Sequence, residues 1–272
     1  MDPITLLAIA FAPGLLWVWY FYTKDKYEPE PKKIIIITFI LGIIATIPAG
    51  ILNTLLLPFS IDQAGILLLF FAAFFVIGPV EEISKYMAIR VYALKSKEFD
   101  EPIDAMIYSV TAALGFATFE NFLYISQFGP SLILMRAITG CLGHAGFSGI
   151  VGYYVGKAKF SSPKVNNPLF KGLTIAAFSH GLFNFVLFTQ TILAFLFIPL
   201  LIVLVYFLTK RLGEMSSASP FKPSDHYDFK CPKCKKMSYQ HQTSALNVAL
   251  SSIGNYLYQN ILYSLSLIAR GS

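Results

Sequence analysis

The chain has 272 residues, of which 56% are hydrophobic and 13% are charged, and its mean hydropathy is +0.62. Soluble domains carry roughly 25% charged residues, so this composition excludes an ordinary soluble protein and indicates a polytopic membrane protein. The net charge of +6 does not indicate nucleic-acid binding, because the Lys and Arg residues lie in short loops between apolar runs. The three cysteines do not indicate a disulfide framework.

Seven apolar runs are long enough to cross a bilayer as helices, at about residues 4–22, 34–57, 64–92, 103–125, 132–156, 172–188 and 191–208. Only Thr189 and Gln190 separate the last two runs, and we expect a helical hairpin there because one helix would be too long for one crossing. The first run has no basic segment before it, so we expect a retained span and not a signal peptide. The predicted fold is an all-α transmembrane bundle of about seven spans, in residues 1–212.

Basic residues alternate between the loops. Lys and Arg follow the first, third, fifth and seventh runs, whereas the alternate loops have none, and Arg136 is the one basic residue near the other side. Because cytoplasmic loops carry the excess of Lys and Arg, this pattern predicts a cell-membrane protein with its N-terminus outside and its C-terminal tail in the cytoplasm.

Glu81, Glu82 and Lys85 stand inside the third apolar run. A charged residue at mid-membrane costs about 2.5 to 3.5 kcal/mol, so these side chains need a partner, a proton, a metal or a water-filled cavity. On a helix Glu81 and Lys85 share a face, which suits an ion pair. Glu82 points about 100° away from Glu81 but lies three residues before Lys85, so the lysine can serve either acid but hardly satisfies both. Two interpretations fit this pattern. One is a structural ion pair beside a protonated Glu, and the other is a functional site.

Further polar residues stand in the fourth, fifth and sixth runs, where lipid-facing side chains would be apolar. Taken singly, each has a structural explanation as a hydrogen bond between helices. Taken together, carboxylates and imidazoles at similar depth suit a zinc site with a general base for attack of water on an amide. These residues are Glu120 and Asn121 in the fourth run, His144 in the fifth, and His180 and Asn184, one helical turn apart, in the sixth.

Glu120 does not fit this depth easily. It lies about 27 Å from Pro102 along a straight helix, nearer the external side than Glu82. Glu120 therefore joins the group only if its helix is tilted, is bent near Gly115, or begins below the hydrocarbon boundary.

The order of these motifs on successive spans resembles the PrsW family of intramembrane proteases. That family is related to the CAAX-prenyl endopeptidases and to the bacteriocin-immunity-type membrane proteases. The resemblance covers about residues 66–184, and it implies a multi-span helical fold that hydrolyses peptide bonds in membrane-anchored proteins such as anti-sigma factors. The motifs are Glu81-Glu82-x-x-Lys85, Phe116-x-x-x-Glu120-Asn121, His144 and His180-x-x-x-Asn184.

The resemblance also implies roles. The related endopeptidases have a histidine where this chain has Glu120, so that histidine's role does not transfer. Zinc is the expected cofactor, although a metal-free mechanism in which glutamate and histidines activate water remains open. The expected roles are Glu81 as base with Glu82 supporting it, Lys85 keeping a carboxylate ionised, His144 and His180 as metal ligands or oxyanion partners, Glu120 as a further ligand or catalytic group, Asn121 as a catalytic group, and Asn184 as oxyanion donor or support.

The tail matches nothing in that core. Residues 213–230 predict a flexible linker rich in Ser, Pro and Lys. Cys231 and Cys234 resemble one knuckle of a zinc ribbon, for which His226 and His241 are the available partners; a simple thiol pair is the alternative. Apolar residues at helical spacing within 246–268 predict an amphipathic helix or a weak eighth span.

Two other classes of function remain for a chain with this composition. Intramembrane Glu, His and Lys also form proton relays in transporters, but the two related halves with paired broken helices that carriers often show are not evident. A membrane scaffold or sensor would leave the buried glutamates without a purpose beyond packing. The leading hypothesis is a protease whose partners are the bilayer and a membrane-anchored protein substrate; the oligomeric state stays open.

Overall fold

The computed structural model describes residues 2–129, 131, 133–161 and 166–223, and within these ranges every regular element is helical. The segment Ala72–Ile77 is π-helical and joins α3 to α4 without a break. Short 3-10 turns occupy Ile61–Gln63, Ala93–Lys95 and Ile192–Leu196. The helices are α1 (Pro3–Tyr22), α2 (Lys32–Leu56), α3 (Ile66–Phe71), α4 (Gly78–Val91), α5 (Asp104–Phe128), α6 (Ile133–Phe160), α7 (Pro168–Phe188) and α8 (Phe197–Ser217).

The predicted transmembrane bundle is confirmed. Five segments are long and apolar enough to cross a membrane by length and composition, namely Ile4–Tyr22, Lys32–Leu56, Ile66–Lys95, Pro168–Phe188 and Ile192–Ser217. Helices α5 and α6, with 25 and 28 residues, are long enough for the remaining two predicted spans but contain more polar residues.

Helix α5 forms the centre of the bundle, which explains why it is less apolar than its neighbours. Every residue from Asp104 to Thr118 is buried, and α5 packs against α1, α2, α4 and α6. Large apolar side chains of the outer helices are exposed instead, among them Leu67 on α3 and Ile202 on α8. Polar side chains are therefore tolerated on α5, because neighbouring helices separate them from lipid.

Glycines allow α2 and α5 to cross at close range. A Cβ atom on Gly115 would lie 2.1 Å from the carbonyl oxygen of Phe39, and a Cβ on Gly42 would lie 2.0 Å from that of Ala112. No side chain fits at either position, which is typical of tightly packed membrane helices.

The last two spans form separate helices, as expected. Helix α7 ends at Phe188, the chain reverses through Gln190 with a φ of 47°, and α8 begins at Phe197 and packs chiefly against α6. Helix α8 continues to Ser217, so helical structure extends into the first residues of the predicted linker. The predictions for Cys231, Cys234, His226, His241 and the amphipathic helix lie outside the described residues.

Candidate active site

Four helices bring their polar side chains together inside the bundle. Helix α4 supplies two glutamates and a lysine, α7 and α6 each supply a histidine, and α5 supplies a third glutamate. Hydrogen bonds and ion pairs connect all of them. The membrane cluster, as we call this group, consists of Glu81, Glu82, Lys85, Glu120, His144 and His180.

The local backbone explains how α4 and α7 approach each other. A Cβ on Gly78 would lie 2.5 Å from the carbonyl oxygen of Ala177, and a Cβ on Gly181 would lie 2.8 Å from that of Ala73. The π-helical turn lies directly before Gly78 and Pro79; single π turns inside α-helices are frequent at functional sites, and proline lacks an N–H for a regular helix. These features let the α7 histidine reach the α4 glutamates.

Lys85 lies between the two halves of the membrane cluster. Its Nζ atom is 2.7 Å from Glu82 Oε1, 2.7 Å from His144 Nδ1 and 3.7 Å from Glu81 Oε2. It also lies 4.6 Å from the centre of the Phe116 ring. The sequence allowed Lys85 to pair with either acid, and in the structure the closer pair is with Glu82, because Glu82 points into the interior where the other donors are.

Glu82 has partners for both carboxylate oxygens. Lys85 and His180 Nδ1, the latter at 2.9 Å, contact Oε1, and the Ser148 hydroxyl donates a 2.8 Å hydrogen bond to Oε2. The residue has no exposed surface. Glu82 therefore holds three helices in place, with no carboxylate oxygen left without a contact.

Glu81 has a free oxygen. Its Oε1 atom accepts a 3.5 Å hydrogen bond from Asn53, whereas the buried Oε2 has no hydrogen-bond partner among the described residues. The Nε2 atom of His180 lies 3.7 Å from that Oε2. The Glu81 side chain is 10% exposed, compared with 0% for Glu82. Within the cluster, Glu81 Oε2 is the buried carboxylate oxygen that is available for a water or an ion.

His144 connects Lys85 to Glu120. Because the Lys85 ammonium can only donate, His144 accepts at Nδ1 and carries its proton on Nε2, which donates to Glu120 Oε2 at 2.9 Å. Arg136 Nη2 lies 2.9 Å from the same Glu120 oxygen. Glu120 is thus part of the cluster without a break in α5: it lies eight residues from the end of α5 and His144 eleven from the start of α6, about 12 and 17 Å along the two axes.

The two asparagines lie apart from the glutamate pair. Asn121 is buried, accepts a 2.7 Å hydrogen bond from Arg136 Nε and faces Cys141 Sγ at 3.6 Å. Asn184 lies one turn after His180 on α7, half-buried, and makes no side-chain hydrogen bond to the glutamates within the described part of the chain. A catalytic role for either asparagine stays a prediction.

The cluster contains a set of donors that suits a metal. One ligand atom each from Glu81, His144 and His180 lies within 4.8 Å of the other two. Each histidine has a carboxylate beside its distal nitrogen, Glu120 for His144 and Glu82 for His180, which is the usual arrangement around metal-bound imidazoles. Two imidazoles and a carboxylate are donors typical of catalytic zinc. The residues therefore fit a zinc ion, provided that it displaces Lys85 from His144 Nδ1.

The sequence alone indicated no role in the site for Asn53, Ser148 or Arg136. Ser148 lies one helical turn after His144, so the helical period offered a signal for it. Arg136 was visible as the one basic residue on its side of the membrane. Asn53 gave no signal, because its contact with Glu81 depends on how α2 packs against α4.

The comparisons with known proteins identify the family. The family model described as PrsW family intramembrane metalloprotease matches residues 30–209. This chain belongs to the PrsW family. Among its relatives named Protease PrsW, that of Clostridioides difficile (strain 630) is 35% identical over 76% of this chain and 88% of its own length. Those of Geobacillus kaustophilus (strain HTA426) and Bacillus subtilis (strain 168) are 33% and 30% identical, over 68% and 79% of this chain and 81% and 97% of their own lengths.

Membership of the PrsW family confirms the resemblance found in the motifs. The protein is therefore an intramembrane endopeptidase. The family match extends the resemblance from residues 66–184 to 30–209. It thus includes α2 with Asn53 and most of α8. No solved structure matches this chain.

Proposed function

We propose that this protease hydrolyses a peptide bond of a membrane-anchored protein with Glu81 as the acceptor of the proton of the attacking water. The observation that supports this role is the free, buried Oε2 of Glu81, 3.7 Å from both Lys85 Nζ and His180 Nε2. A general base must lie within hydrogen-bond reach of the proton it takes, and this oxygen accepts no hydrogen bond from any described residue.

Glu82 has a positioning role in this proposal. Its contacts with Lys85, His180 and Ser148 fix the side chains that surround Glu81. A carboxylate whose oxygens already accept hydrogen bonds and face an ammonium is a poor base for water. The two adjacent glutamates therefore divide the work, one organising the site and one moving the proton.

His144 and His180 would hold a zinc ion, through the nitrogens that do not face Glu120 and Glu82. Zinc bound there would make water a nucleophile at neutral pH and polarise the scissile carbonyl. Glu81 lies within reach either as the third ligand or as the base beside it. Glu120, held by Arg136, orients His144, and Lys85 supplies positive charge close to the developing negative charge.

After the water attacks, the proton taken by Glu81 has to reach the leaving amine. Glu81 is able to return it, since the same carboxyl group acts as an acid once it is protonated. The buried position of the cluster keeps these transfers away from lipid and requires water to enter from one side of the bundle.

The substrate is a protein anchored in the same membrane, and the resemblance to the family favours an anti-sigma-factor-like protein. The alternation of basic loops supports an outer N-terminus and a cytoplasmic tail in the cell membrane. The fold supports placing the first two basic loops on the same side of the membrane. Asp25 from the first of these loops lies close to Glu101 from the second.

The test is Glu81→Gln in the full chain, reconstituted in liposomes with a single-span reporter protein. We expect cleavage to fall by about 10²- to 10⁴-fold, the usual contribution of a general base. Glu98→Gln, at an exposed position, is the matched control and should retain activity. Undiminished cleavage by Glu81→Gln would contradict the proposal.

Metal content of the same proteins separates the two roles of Glu81. If Glu81 is the base, Glu81→Gln keeps the metal of the wild type; if it is a ligand, the variant loses metal together with activity. With Cys231→Ser/Cys234→Ser in every protein compared, so that metal held by the tail is not counted, His144→Ala/His180→Ala should lose the metal in either case. Wild-type protein that cleaves without any metal would support activation of water by glutamate and histidine alone.

A further inference from the structure

A second group of buried acids lies at one end of the bundle, away from the membrane cluster. Asp25 follows α1, Glu101 precedes α5, and Asp104 opens α5. One carboxylate oxygen from each lies within 4.8 Å of the other two. The three residues are 3%, 1% and 1% exposed. We call these three residues the loop cluster.

Most oxygens of the loop cluster have no partner. Both carboxylate oxygens of Asp25, both of Glu101, and Oδ1 of Asp104 are buried without a hydrogen bond to any described residue. The remaining oxygen, Oδ2 of Asp104, accepts hydrogen bonds from the backbone N–H groups of Asp100 and Glu101, at 3.0 and 2.8 Å. Buried polar atoms are rarely left unsatisfied, so five such oxygens in one place require an explanation.

No basic side chain offsets this charge within the described ranges. None of the ion pairs found there involves the loop cluster. Lys159, from α6, donates instead to the carbonyl oxygen of Phe99 and lies over its ring. Glu30, 3% exposed, adds a fourth acid, and its Oε2 and the nearby Tyr108 hydroxyl are both buried without a hydrogen bond to any described residue.

Negative charge is unfavourable on acids that are buried this close together, because burial penalises the charged form. A bound cation would remove this penalty, because it supplies the opposite charge where the described side chains do not.

We propose that Asp25, Glu101 and Asp104 bind one hard divalent cation, Ca²⁺ or Mg²⁺, with Glu30 and the Tyr108 hydroxyl at the edge of the site. Carboxylate oxygens are the donors that these two ions prefer. Two oxygens that bind the same Ca²⁺ at about 2.4 Å are at most about 4.8 Å apart, so the observed spacing needs little adjustment for Ca²⁺ and a small contraction for Mg²⁺.

The cation joins two loops that are far apart in sequence. It holds the chain between α1 and α2 against the start of α5, the central helix that carries Glu120 sixteen residues further on. The site is separate from the zinc donors and does not depend on the proposed proteolytic mechanism.

The experiment measures thermal unfolding of the full chain in detergent after chelation, with Ca²⁺, Mg²⁺ or neither added back. The test variant is Asp25→Asn/Glu101→Gln, and the matched control is Glu28→Gln/Glu98→Gln, which changes one exposed acid in each of the same two loops. Wild type and control should unfold several degrees higher with the cation that binds, whereas the test variant should not respond. In chelator alone the test variant should be at least as stable as the wild type, since two unpaired buried charges are gone.

A second probe keeps the proposal testable if that variant folds poorly. Terbium(III), a hard cation, should bind wild-type protein, be displaced by Ca²⁺ or Mg²⁺, and bind Glu101→Gln at least tenfold more weakly. An unfolding midpoint that responds to neither ion, with no displaceable terbium, would overturn the proposal and leave carboxyl groups that share protons. An equal response of wild type and Asp25→Asn/Glu101→Gln would place cation binding elsewhere and would overturn it too.

Discussion

The membrane cluster and the loop cluster are both groups of buried acids, but they meet the cost of burial in different ways. In the membrane cluster, one lysine and two histidines accompany three glutamates, Arg136 pairs with Glu120 from beside the cluster, and nearly every buried oxygen has a partner. In the loop cluster, the described residues supply no cation, and five oxygens have no partner. The first group is nearly complete with the chain's own side chains, whereas the second is complete only with a ligand or with protons.

This comparison explains why one free oxygen in the membrane cluster is informative. Since the other buried carboxylate oxygens there have contacts, Glu81 Oε2 stands out as the position left for water or metal. In the loop cluster, in contrast, five buried oxygens have no hydrogen-bond partner among the described residues, and one oxygen from each of the three acids lies within 4.8 Å of the other two. These observations support the two proposals, Glu81 as the base for water and the loop cluster as a cation site.

The largest effect should come from removing the internal cation of the membrane cluster. We expect Lys85→Met to lower the free energy of unfolding by about 3 to 5 kcal/mol, because it leaves buried glutamates without their ammonium partner. Lys85→Met/Glu82→Gln should regain part of this loss. Denaturant unfolding in detergent measures both, with the exposed Lys95→Met as control. If Lys85→Met is as stable as the control, the membrane cluster does not depend on internal pairing.

A smaller effect is expected where one hydrogen bond to a buried carboxylate is lost. Ser148→Ala should cost about 1.5 to 3 kcal/mol, because Glu82 Oε2 loses the only hydrogen-bond donor that the described residues give it. The control is Ser84→Ala on α4, whose hydroxyl donates to the carbonyl oxygen of Val80 and not to an acid. Unfolding free energies and cleavage rates should both fall more for Ser148→Ala. Equal losses in the two variants would mean that Ser148 is not needed to hold Glu82.

The smallest of these stability effects tests the approach of α4 and α7. Gly181→Ala places a Cβ 2.8 Å from the carbonyl oxygen of Ala73, so the helices have to separate, at a cost of about 1 to 3 kcal/mol. Cleavage should fall at least tenfold as His180 moves away from Glu82. Gly50→Ala, where a Cβ meets nothing within 4 Å, should be neutral or slightly stabilising. A fully active Gly181→Ala would show that the cluster tolerates a wider spacing of these helices.

Much of the fold was predictable because lipid imposes strict conditions on sequence. Apolar runs, basic loops and the pair Thr189-Gln190 were sufficient for the helical bundle and for the final hairpin. The sequence predicted α5 and α6 as membrane spans. They are less apolar than the other spans, because their surroundings are largely protein. The depth of Glu120 looked inconsistent when counted from Pro102, yet the contact with His144 resolves it without a bend in α5.

The loop cluster was not predicted at all. The loops that contain Asp25 and Glu101 gave no sign of burial in the sequence, and the two residues are 76 positions apart in the chain. Their convergence depends on how the end of α1 packs beside the start of α5, which no local pattern records. The roles of Ser148 and Asn53 depend in the same way on the rotation of neighbouring helices.

By itself, the sequence determined which residues are too polar for lipid, on which spans they stand and to which family their order belongs, because hydropathy, charge and motif order are properties of the chain alone. Only the tertiary structure decided that Lys85 lies closer to Glu82 than to Glu81, that Glu81 keeps a free oxygen, and that Asp25, Glu101 and Asp104 meet. The physical reason is that hydrogen bonds act over about 3 Å, a distance set by helix packing and rotation and not by spacing in sequence.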